Sequence, residues 1–109
     1  MAYDLIIAEH AEKQIDELAG YLVADLRNPE AAKHFLDELE DVYKRLEENP
    51  LQIHLSRDNF LKRSGYREAL FGTMRYRVIF RIDGIVVYIV GVFHTLERYV
   101  IKMREKLRE

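Results

Sequence analysis

Apolar and polar positions follow two different periods along this chain, and the period of two is the clearest. From Met74 to Phe93, Tyr76, Val78, Phe80 and Ile82 alternate with Arg75, Arg77 and Arg81. Alternation sends the two sets to opposite faces of a strand. Asp83-Gly84 then separates this run from Ile85 to Phe93, and such a pair between β-branched runs predicts a hairpin with a type I′ turn, positive φ at both positions. The second arm is apolar at almost every position, which suits a central strand covered on both faces.

Elsewhere the period is helical. After a short strand over Tyr3–Glu9, Ile15, Leu18, Ala19, Leu22, Val23 and Leu26 recur at helix spacing, with Glu12, Asp16, Glu17 and Asp25 on the other side. Asn28-Pro29 supplies an N-cap and a first-turn proline for a second helix. That helix runs to about Glu48 on the stripe Ala32, Phe35, Leu36, Leu39, Val42, Tyr43 and Leu46, until Asn49-Pro50 stops it. Leu51 to Ser64 has no clean period and reads as a long connection of the functional kind. Tyr66–Phe71, between Gly65 and Gly72, reads as a strand. Leu96, Val100, Met103 and Leu107 outline a C-terminal amphipathic helix. The order predicts an α+β fold: a mostly antiparallel sheet, an N-terminal helical hairpin packed on one face, and a C-terminal helix. One domain over residues 1–109 is expected.

Charge adds an asymmetry that the net value of −2 hides. Glu9 to Glu48 holds 12 acidic and 5 basic residues, whereas Arg57 to Arg81 holds 7 basic and 2 acidic. A surface for a polyanion on one side of the fold is the reading this split supports. There is no cysteine, so disulfides and thiolate metal sites are excluded. His10, His34 and His54 lack ligand spacing, so no metal and no cofactor are expected. No apolar run approaches a membrane span, and Asp4 interrupts the only apolar stretch at the N-terminus, so a cytoplasmic protein without a signal peptide is expected.

Several short matches occur in a familiar order. They are the strand Tyr3–Ala8, the helix start Asn28-Pro29-Glu30-Ala31-Ala32 and the helix exit Glu48-Asn49-Pro50. They continue with Gly65-Tyr66-Arg67, the run Tyr76-Arg77-Val78-Ile79-Phe80-Arg81, and Gly91-Val92-Phe93-His94. Over nearly its whole length the chain thereby resembles the RelE/ParE superfamily of type II toxin-antitoxin toxins. The resemblance implies a growth-inhibiting toxin with a cognate antitoxin as partner, assembled as a homodimer or a toxin-antitoxin hetero-oligomer. It also implies a target, mRNA on the ribosome for the RelE-like nucleases or DNA gyrase for the ParE-like members.

For the nuclease branch, the resemblance assigns Arg77 to the phosphate-contacting arginine, His94 to the histidine ending the last strand, and Arg67 to a basic position of the preceding strand. Metal-independent mRNA cleavage needs a base, an acid and cations at the scissile phosphate. His94 fits the first need, with Glu68 as an alternative base, while Arg67, Arg75, Arg77 and Arg81 fit a phosphate clamp. Arg98 and Tyr99 lie near an arginine and a tyrosine of other members, and Tyr66, Tyr76 or Tyr99 could stack a base. Ribosome-linked mRNA cleavage is the leading expectation, with gyrase inhibition through protein binding without catalysis as the alternative, which the long acidic hairpin and Ala69, standing where the nucleases have a second lysine, favour. A solvated sheet face accounts for the arginine row equally well, and a binding module with no toxicity is the third reading.

Overall fold

The computed structural model describes residues 2–95 together with Lys102, Met103 and Glu105. The elements are β1 (Asp4–Ile7), α1 (Glu9–Gly20), a π-helical segment (Tyr21–Asp25), α2 (Pro29–Glu48), a 3-10 turn (Pro50–Gln52), α3 (Asn59–Arg63), β2 (Arg67–Phe71), β3 (Tyr76–Asp83) and β4 (Val86–His94). Lys102, Met103 and Glu105 are helical, as the C-terminal pattern predicts, whereas Leu96, Arg98, Tyr99, Val100 and Leu107 lie outside the described residues. Among the described residues no helix is long and apolar enough to cross a membrane.

The helices start where capping chemistry places them. The Asn28 side chain accepts a hydrogen bond from Ala31 N at 3.0 Å with Pro29 in the first turn, and Arg27 takes a left-handed φ of 49° just before it. Asp58 caps α3 in the same way through Leu61 N. This short helix lies inside the stretch read as having no period.

The four strands are ordered β1-β4-β3-β2. β2–β3 and β3–β4 are antiparallel, while β1 joins β4 in parallel, so the N-terminal strand makes β4 internal along Val86–Ile89. The β3–β4 turn sits one residue later than the Asp-Gly signal indicates. Asp83 pairs with Val86, the two-residue loop is Gly84-Ile85, and only Gly84 has positive φ, the pattern of a type II′ turn.

Each face of the sheet carries its own apolar cluster. Ala69, Phe71, Val78, Phe80, Val87, Ile89 and Val92 pack against Ala11, Leu22, Phe35, Leu39, Val42 and Leu46 of the helices. On the other face, which α1 and α2 leave open, Ile79, Val90 and Phe93 pack with Leu61, Tyr66 and Met103.

β4 changes phase midway. Ile79 pairs with Gly91 and Phe80 with Ile89, which leaves Val90 as an extra residue in a β-bulge. Before it Val87 and Ile89 face the helices; after it Val92 does, and Phe93 points away. Beyond Ile7 β1 no longer flanks β4, and α1 side chains take its place on that edge: the His10 ring bonds Val90 O, and Gln14 Oε1 accepts from Val92 N at 2.9 Å. The backbone groups at the bulge are thereby satisfied.

Gly91 is required for space, since its φ lies outside the left-handed region. A Cβ built there stands 2.5 Å from Phe93 Cε2 and 2.9 Å from Met103 Sδ. Gly91→Ala is therefore expected to cost about 1–3 kcal/mol by overpacking. A lowered urea midpoint at unchanged slope checks it, and Met103→Ala in the same chain should recover part of the loss.

At the α1–α2 contact, burial pushes the Tyr43 phenol up to about 12, with Glu12 adding to the shift. Because the folded state holds this proton more tightly than the unfolded chain, whose tyrosine titrates near 10, stability is unaffected below pH 10 and falls from there to about 12. Denaturation midpoints at pH 9 and pH 11 should diverge in the wild type, and diverge less in Tyr43→Phe.

Candidate functional site

Beyond Gly20 the helical backbone loosens into the π-helical segment, marked by Leu26 N bonding Tyr21 O five residues back at 3.1 Å. The wider turn rotates the apolar stripe. Leu22 stays buried, but Val23 and Leu26, assigned to the buried stripe by the 3.6-residue period, are about half exposed, as is Tyr21.

These residues wall a cleft of about 850 Å³ whose other side is the end of the sheet: Leu18, Tyr21, Leu22 and Leu26 face Arg75, Tyr76, His94 and Thr95. Its rim holds unusual backbone. Gly72, Thr73 and Met74, the tip of the β2–β3 hairpin, have φ of 61°, 54° and 68°, and Met74 is largely exposed. A β-branched threonine in that region is strained, and such strain gathers where a surface is held in a set shape. The tip is fixed to the end of β4 by Thr95 N donating to Arg75 O at 2.7 Å.

The cleft floor is aromatic. Tyr76 lies 4.7 Å from Phe35 and 5.3 Å from Phe71 between ring centroids, and the His94 ring meets Tyr76 edge-on at 5.4 Å. Burial holds the Tyr76 phenol above its ordinary value, with Arg75 opposing the shift and Glu38 adding to it. The phenol is therefore a neutral donor throughout the physiological range.

Of the residues singled out from the sequence, His94 and Arg75 share this cleft. Arg77 and Arg81 do not, for they lie on the other face. Arg77 Nη1 meets Glu68 Oε2 at 3.3 Å, both side chains being largely buried, and Glu68 Oε1 in turn accepts from the buried Ser56 hydroxyl at 2.8 Å. Arg81 stacks over Tyr88 at 4.3 Å and stands 3.9 Å from Asp83. Arg67 is set apart at the start of β2, where its guanidinium donates to Ile53 O. Arg98 and Tyr99 lie outside the described residues. The arginine row and the imidazole thus do not converge.

Sequence reasoning missed the cleft wall of Leu18, Tyr21, Leu22 and Leu26. Periodicity assigns Leu18, Leu22 and Leu26 to the core, and no residue signal marks where an α-helix widens into a π turn.

The sequence matches the family model for the ParE toxin of the parDE type II toxin-antitoxin system over residues 5–99. No curated protein matches it. Among solved structures, the chromosomal ParDE toxin-antitoxin system of P. aeruginosa superposes with a TM-score of 0.69 at 19% identity, covering 85% of this chain and 96% of that one. A double-arginine variant of the E. coli toxin RelE in the free state gives 0.56 at 18% identity over 98% of both chains. The isolated E. coli RelE toxin gives 0.54 at 16% identity, over 99% of this chain and 100% of that one. At these identities the likeness is one of fold, and the family rests on the sequence match across nearly the whole chain. This chain belongs to the ParE toxin family of type II toxin-antitoxin systems.

Proposed function

We propose that this toxin acts by binding a protein, DNA gyrase, without cutting RNA, and that a cognate antitoxin neutralises it. The observation that carries this reading is the sheet lying between His94 and the Arg77–Glu68 pair. Cleavage without a metal needs an acid or base and its cations around one phosphate. Here the imidazole shares its cleft with Arg75 and Thr95, and the rest of the wall is leucine and tyrosine. A concave apolar surface with a few polar groups suits side chains of a protein partner better than a phosphodiester. The ParE family match supports the same target.

A second reading rests on that cleft as well. His94 as base, Arg75 as phosphate cation and Tyr76 as a stacking ring would make a metal-independent mRNA endoribonuclease with fewer cations than the sequence suggests.

One experiment separates the two. The purified toxin is added to gyrase with relaxed plasmid and ATP, and transcript ends are mapped after induction in cells. Loss of supercoiling with intact transcripts is expected. New transcript ends that vanish in His94→Ala, with supercoiling unchanged, would overturn the gyrase reading.

A further inference from the structure

The segment from Leu51 to Arg67 carries a feature that the cleft does not use. Two adjoining hollows of about 640 and 550 Å³ open there and share Leu55 and Lys62. His54, Arg57, Lys62 and Arg67 line the first, and Arg63 lines the second. The one acid of the segment, Asp58, is committed to capping α3. Arg67 donates to Ile53 O, and Arg63 Nε donates to Asn59 O at 3.2 Å, so these two cations are held by carbonyls and not by carboxylates. Among the described residues none of the basic groups in this groove makes an ion pair. Like charges lining one hollow repel one another, so a cluster without internal carboxylates attracts an anionic partner.

We propose that this groove docks the phosphodiester backbone of a nucleic-acid duplex, DNA in the first instance. Three observations lead to that occupant. The cations are spread along two hollows and do not converge on one point, which fits a row of phosphates better than a single free one. Among the described residues no phenylalanine or tyrosine lines either hollow, so they offer no stacking platform of the kind that holds single strands, and backbone contact is what they supply. The charge of the acidic helical hairpin repels the same polyanion, so the basic segment is the part of the molecule that attracts it. The inference goes beyond gyrase binding and does not rest on it, because it is read on the toxin alone.

The test is fluorescence anisotropy of a labelled 20-base-pair DNA duplex titrated with the free protein across a salt series. The wild type should bind, with affinity that falls as salt rises and is indifferent to base sequence. Arg57 and Lys62 are exposed, so Arg57→Gln/Lys62→Gln should fold normally. It should bind about tenfold or more weakly, with a log–log salt slope shallower by about two. The control Lys33→Gln/Lys44→Gln, an equal charge change on α2, should stay within about twofold of the wild type.

Absence of duplex binding at low salt overturns the proposal. So does equal weakening by the control, or a single strand bound as tightly as the duplex. Full displacement by polyglutamate at matched charge overturns it too, since the groove would then be a general anion surface. An RNA duplex bound more than tenfold tighter than DNA overturns the assignment to DNA. Because gyrase is absent from the measurement, failure here leaves the gyrase reading standing, and the reverse also holds.

Discussion

Arg77→Ala is expected to reduce toxicity sharply by destabilising the protein. The Arg77 and Glu68 side chains are only 16% and 12% exposed, and the Ser56 hydroxyl is bonded to the same carboxylate. Truncating the arginine leaves a buried carboxylate whose charge is offset only by that hydroxyl, and breaking a buried pair from one side costs about 3–5 kcal/mol. A protein of this size has roughly 5–15 kcal/mol in hand, so the variant is left marginal and its abundance in cells should fall several-fold, with activity following. Urea denaturation checks it: the midpoint should drop sharply at unchanged slope.

Arg77→Met/Glu68→Gln then separates scaffold from chemistry. The glutamine still accepts from Ser56, no buried charge remains, and most of the stability and the toxicity should return. A double variant that is stable yet inactive would instead place the guanidinium at the target.

The second large effect is expected at Phe35, 2% exposed on α2 between Phe71 and Tyr76. Phe35→Ala should lose about 3–5 kcal/mol, because the cavity it opens is bounded by strands that cannot collapse into it. The loss is not confined to stability. Tyr76 rests on Phe35 and His94 rests on Tyr76, so the floor of the cleft loses its support. Phe35→Leu, which keeps most of the volume, should cost less than Phe35→Ala and retain activity. Both are read by urea midpoint together with inhibition of supercoiling at a concentration corrected for the folded fraction.

How much was legible in the sequence depends on how local the cause is. α2 is read with its bounds and most of its stripe, because Asn28, Pro29 and the residues from Ala32 to Leu46 each act within a turn or two of their position; Leu36, assigned to the stripe, is 41% exposed. The hairpin is read with its turn one residue off: Asp83-Gly84 marks the bend, but strand pairing decides that Asp83 still belongs to β3. α3 escaped because five residues give no period, although Asp58 three positions before Leu61 is a capping signal. The parallel placement of β1 beside β4 has no local signature at all, being set by how the helical hairpin returns the chain.

The candidate site was read least well. Alternation assigns Arg75, Arg77 and Arg81 to one face, and the structure keeps Arg77 and Arg81 there; the resemblance alone joins His94 to them, whereas the structure sets its ring against Tyr76 on the opposite face. The extra residue at Val90 fixes which face that end of β4 presents. The basic charge of the segment after Leu51 was visible in composition, but the groove it lines depends on the Arg67–Ile53 contact across 14 residues, which no pattern of neighbours reveals.

Val90 has a wider consequence. Because one surplus residue exchanges inside for outside along everything downstream, two chains spelling the same letters at the tip of this strand can display them to opposite worlds. In this fold the histidine's partners are therefore decided four residues upstream of it. A relative is informative about His94 only if it carries the same insertion, and residue matching blind to that parity will credit the imidazole with neighbours it never meets.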